Sequence, residues 1–147
     1  MILTATQLAL VSAGGFFMVG LLTGVWKYAE IALTEKARAH YYVDIAHRAS
    51  LLYAFACLVL ERFAQLSVLD EQINFWAVAA SVLFYALAVG SYVLHGMLKD
   101  TKNQLRRPHR MGPITLPGIF MVGFMLLLIA AEVGGFGVLF YGYLISL

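Results

Sequence analysis

Four histidines hold most of the chemistry open to this chain: His40, His47, His95 and His109. Imidazole binds transition metals and exchanges protons near neutral pH, so their spacing comes first. His40, Asp44 and His47 stand at i, i+4 and i+7. If a helix begins by Ala39, all three share one face. Imidazoles and a carboxylate on one face could hold a transition metal. A single histidine with an open opposite position would instead suit a haem iron. Each histidine taken alone also has a plainer reading, as a side chain bonded to headgroups, water or a neighbouring helix. His109, between Pro108 and Arg110, is expected in a solvated loop. Tyr41 and Tyr42 adjoin His40, and Trp26 and Tyr28 close the first apolar stretch. Aromatics at such depths anchor a chain at the membrane interface, or here line a pocket over the histidine face.

The elements that must position these groups lie in lipid. The chain of 147 residues is 62% hydrophobic and only 12% charged. A soluble domain carries about a quarter charged residues. The net charge of +2, without a polybasic arm, points away from nucleic acid. Cys57 is the only cysteine, so no internal disulfide can form. The first 26 residues carry no charge, unlike the positive start of a secretory signal, and read as a retained helix.

The expected fold class is all-α: one four-helix transmembrane domain over residues 1–147, with spans at about 5–27, 44–66, 73–98 and 115–140. Gly14, Gly15, Gly20 and Gly24 give the first span a surface for close helix contact. The second span has a charge-free core of only 49–60, so His47, Arg48, Glu61 and Arg62 are drawn toward the membrane. Such groups must face protein or water. Glu132 in the fourth span and Arg62 in the second each stand sixteen residues past the basic-side start of their helix. An ion pair between them is expected. Lys27, Lys36, Arg38 and Arg48 flank the first loop, and Lys99, Lys102, Arg106, Arg107 and Arg110 the third. The positive-inside rule makes that side cytoplasmic and puts both termini on the non-cytoplasmic side, here of a bacterial inner membrane.

A family resemblance sharpens the histidine reading. Residues 17–24 read FMVGLLTG, and Ala39-His40 follows sixteen residues later. Tyr85-Ala86 and Val122-Gly123-Phe124-Met125 lie in the third and fourth spans. This pattern resembles the membrane family of styrene oxide isomerase and hydroxylaminobenzene mutase. The resemblance implies a trimer of four-helix protomers that binds haem b at subunit interfaces through the histidine of an Ala-His pair, here His40. It implies an isomerase, a catalyst of intramolecular rearrangement, whose ferric iron is a Lewis acid on a small lipophilic epoxide or arylhydroxylamine. Pocket candidates are then Tyr41 and His95 near the cofactor, and Asp44, His47 and Tyr85 near the substrate. Two positions depart from the family. Its Asn-Gly pair on helix two is Ala46-His47 here, and its Tyr-Ala-Asn run is Tyr85-Ala86-Leu87.

Other functions stay open. A haem protein without catalysis, or an electron-transfer subunit, would need two histidines facing across helices. An accessory subunit of a larger membrane complex, with other membrane subunits as partners, would need no cofactor. Arg38-Ala39-His40 also resembles the glutathione-transferase-like membrane trimers, but Tyr42 and Ile45 do not supply the Asn and Glu which that motif requires.

Overall fold

A computed structural model describes residues 3–147. Four helices follow in order: α1 (Ala5–Leu33), α2 (Tyr41–Leu66), α3 (Glu71–Leu98) and α4 (Gly118–Leu144). Each is long and apolar enough to cross a membrane. A short antiparallel hairpin, β1 (His109–Met111) and β2 (Ile114–Leu116), precedes α4. The sequence reading began the fourth span near Thr115, inside what is β2. The hairpin turns at Gly112, whose positive φ of 57° suits glycine.

Small residues at helical spacing hold α1 to α2, the most extensive contact in the bundle. Ala5, Ala9, Ala13, Phe16, Gly20 and Thr23 form the buried stripe of α1. Ala46, Ser50, Ala54 and Cys57 lie on the facing stripe of α2. Side chains this small let two backbones approach closely, and dispersion then takes the place of the hydrophobic effect in lipid. The caps are local. Thr4 and Gln7 form a capping box on α1, and Asp70 caps α3 through the amide of Gln72. The carboxylate of Glu71 also accepts from the Ala5 amide, at 2.5 Å, tying the start of α1 to the start of α3.

The last helix sits differently. It packs chiefly on α3, less on α2 and least on α1. Its close approach depends on Gly135, where an added Cβ would stand 2.6 Å from the carbonyl oxygen of Ala77. Ser81 spans the same contact, its hydroxyl donating to the Ala131 carbonyl at 3.2 Å.

This placement corrects one expectation. Arg62 is exposed and donates to Gln65 on its own helix at 2.5 Å, and no ion pair joins it to Glu132. Oε1 of Glu132 is buried with no hydrogen-bond partner among the described residues. Equal height along two helices does not make their side chains face each other.

Candidate functional site

The five helix-borne and capping candidates at the basic end separate into three neighbourhoods. His40 lies outside the helix, as the N-cap of α2 (φ −59°, ψ 144°). The expected one-face set of His40, Asp44 and His47 therefore does not form, because α2 starts at Tyr41 rather than by Ala39. Among the described residues no three His, Cys, Asp or Glu side chains come together as a metal site.

His40 is held by its backbone and its cap. Its amide donates to Glu30 Oε2 at 2.7 Å, and Glu30 Oε1 receives Lys99 at 2.9 Å. Its ring Nδ1 accepts from the Tyr42 amide at 3.4 Å. Burial holds its imidazole below the usual range, opposed by the charge of Glu30 and assisted by Lys99 and Lys102. Asp44 is engaged by cations, with Lys27 at 2.6 Å and Arg48 at 3.2 Å. It neutralises charge drawn toward the membrane.

His47 is seated quite differently. Its Nδ1 lies 2.8 Å from the carbonyl oxygen of Gly20. A carbonyl only accepts, so Nδ1 carries the proton and Nε2 keeps its lone pair. Gly24, one turn further along α1, makes room for the ring: a Cβ there would be 2.9 Å from Cε1 and 3.0 Å from Nδ1. Gly20 and Gly24 are the two glycines of the GLLTG segment. One turn beyond His47, Leu51 packs on Gly20 and lines an apolar groove of about 420 Å³ on the α1–α2 seam, with Leu10, Phe17 and Phe55 among its walls.

The third neighbourhood is built on Tyr42, not Tyr41. Tyr41 is exposed and stands edge-on to Tyr42. Tyr42 is 3% exposed, stacks on Tyr92, and lies 5.1 Å from the His95 ring. Its hydroxyl accepts from the Gln104 amide at 2.5 Å. His95 is buried, and its Nδ1 meets Asp100 Oδ1 at 2.7 Å. The other carboxylate oxygen accepts from the Gly112 amide at 2.6 Å, so Asp100 ties the hairpin turn to the end of α3. His109 is buried too, with Nδ1 3.2 Å from the Gln104 carbonyl, and is not the solvated loop residue expected.

Asp100 gives this end of the bundle an acid sensitivity. Burial works against its charge, but the Gly112 amide and His95 outweigh burial and hold the carboxyl below its usual range. The folded value is depressed, so the stabilisation is complete above the unfolded value of about 3.9 and disappears as pH falls through the folded one. Exchange of the Gly112 amide, corrected for its intrinsic rate, should accelerate in that window. Asp100→Ala should exchange fast already at neutral pH. A flat corrected rate in the native protein would remove Asp100 as the anchor.

Tyr85 lies away from all three groups, in the middle of the bundle. It is 8% exposed and stacks on Tyr53 with ring centroids 4.2 Å apart. Phe16 meets it edge-on. Tyr53 is absent from the sequence reading, which names Tyr42 only as an anchor or pocket-lining aromatic beside His40; the signal available for Tyr53 was its helical spacing from the small-residue seam.

Comparison with known protein families, curated proteins and solved structures finds no match for this chain.

Proposed function

We propose that this chain is a haem-carrying membrane isomerase or mutase of the styrene oxide isomerase type, with His47 rather than His40 as the iron ligand. The observation that carries this reading is the hydrogen bond from His47 Nδ1 to the Gly20 carbonyl. Metal-bound histidines donate their second ring nitrogen to a carbonyl or carboxylate, which fixes the tautomer and leaves the other nitrogen to the metal. His40 has the opposite arrangement: its Nδ1 accepts a backbone proton, so the neutral ring carries its own proton on Nε2.

The sixteen-residue spacing of the resemblance implies His40, so this choice departs from it by one motif. A second Ala-His pair, Ala46-His47, stands seven residues after Ala39-His40. It is the pair that meets the GLLTG segment, through both glycines. Counted from Ala46-His47, the positions of the family's Asn-Gly become Tyr53-Ala54, and Tyr53 stacks on Tyr85. A phenol, Tyr53, would then stand in place of the helix-two amide.

When bound, ferric haem supplies a Lewis acid that polarises a substrate oxygen. The chain's residues do the remaining work. The Gly20 carbonyl and the Gly24 gap fix the direction of the His47 ring. The apolar groove walled by Leu51, Phe17 and Phe55, one turn from His47, would offer the macrocycle an apolar wall. His95 faces a different part of the bundle, held by Asp100 at the end of α3, so it is no second ligand to the same iron. This favours an open coordination position over an electron carrier. The substrate, a small lipophilic epoxide or arylhydroxylamine, would arrive through the bilayer. A homotrimer is part of the same proposal, as is a cytoplasmic location of the basic loops.

The test is turnover. Haem-loaded protein in detergent should convert an aryl epoxide to the isomeric aldehyde without any added reductant. His47→Ala should not. Haem-loaded protein that leaves both epoxide and arylhydroxylamine unchanged would reduce this reading to a haem protein without isomerase activity.

A further inference from the structure

The His95–Asp100 pair opens onto a cavity that the haem reading does not use. The cavity holds about 530 Å³ and lies between α3, the hairpin and α4. It exists because α3 is bare there. A Cβ added at Gly90 would have nothing within 4 Å, and Ala86 lies one turn away. Most of the lining is apolar, with Leu87, Leu116, Phe120 and Phe124 on its walls. Phe120 is largely exposed on α4, a helix of membrane-crossing length, so a ligand can enter sideways from lipid.

One corner of the cavity is polar, and its polarity is specific. His95 is only 3% exposed, and its side chain lines the space. Asp100 accepts the proton on Nδ1, so Nε2 is the ring atom left for a ligand; it has no partner among the described residues. Gln104 lines the same corner. The single Ser91 hydrogen is shared between the Ala88 carbonyl at 2.9 Å and Gln104 Oε1 at 3.3 Å, and the Gln104 amide hydrogens meet no acceptor among the described residues. An acceptor beside a donor is what a single hydroxyl requires: it gives its hydrogen to one and takes a hydrogen from the other. Aromatic walls suit a planar ring.

We infer that this cavity binds a lipid-borne phenol or hydroquinone, its hydroxyl donating to His95 Nε2 and accepting from the Gln104 amide. The ring lies toward Phe120 and Phe124 and the alkyl tail leaves between α3 and α4. The site is separate from the α1–α2 seam and does not depend on haem.

The probe is 4-hexylphenol carrying a ring fluorine, titrated into full-length protein in nanodiscs and followed by fluorine NMR. Its methyl ether, which has the same ring and tail but no hydroxyl hydrogen, controls for partition. The phenol should saturate at one per chain and bind about tenfold more tightly than the ether, the worth of one hydrogen bond. His95→Ala should reduce the phenol to the ether's affinity. Gly90→Leu should abolish both, and because open space surrounds that position the helical content should be unchanged. If His95→Ala does not fold, Gly90→Leu and the ether decide the matter. Equal affinities of phenol and ether would overturn the inference. So would binding that survives Gly90→Leu, or decanoate displacing the phenol at lower concentration than the phenol itself binds.

Discussion

His47→Ala should lose haem, and His40→Ala should keep it. The loss should exceed about 100-fold in affinity, because even an outer-shell partner of a ligating histidine is worth 10–100-fold. Gly24→Val gives the finer version of this result. Its Cβ would stand 2.9 Å from His47 Cε1, so the ring must leave the Gly20 carbonyl. Affinity should fall about 10–100-fold while the histidine itself remains. Haem titrations of the three variants, read against the native protein, separate the two Ala-His pairs. Haem kept by His47→Ala and lost from His40→Ala would return the ligand to Ala39-His40.

Gly135→Ala should cost about 2–3 kcal/mol, a large effect for one methyl group. The new Cβ meets the Ala77 carbonyl oxygen at 2.6 Å and crowds the Ser81 hydroxyl. Backbone cannot yield as a flexible side chain can, so the two helices must separate, and overpacking of this kind costs about 1–3 kcal/mol. Separation also breaks the bond from Ser81 to the Ala131 carbonyl, leaving Ser81 only its own-helix acceptor, Ala77. Gly134 is the control. Nothing lies within 4 Å of a Cβ there, so Gly134→Ala should be neutral or stabilising by up to about 1 kcal/mol, through the lost flexibility of the unfolded chain. Reversible unfolding in mixed micelles measures both. Equal effects would mean that α4 is not held to α3 through Gly135.

The helices were legible because hydropathy alone marks a stretch of membrane-crossing length. Their ends were less so. Span two was expected from about residue 44, yet α2 starts at Tyr41, since His40 serves as its cap. That shift of a few residues moved His40 off the helix face and replaced Tyr41 by Tyr42 as the buried aromatic. The hairpin was not legible: strands of three residues show no periodicity, and Gly112-Pro113 marks a turn without saying what flanks it. Glu132 and Arg62 failed for a different reason. Residue counting measures height along a helix axis, while pairing needs the azimuth, which only the packing of α4 on α3 determines. The link between GLLTG and His47 lay in the sequence as two glycines and a second Ala-His pair, but only the α1–α2 seam brings them together.

The most direct test is the visible absorption spectrum of detergent-purified protein titrated with haem b, oxidised and then reduced with dithionite. A saturable Soret band of a five-coordinate, high-spin ferric iron is the predicted result, lost in His47→Ala. No band, or a six-coordinate low-spin spectrum requiring two histidines on one iron, would contradict an open haem site on His47.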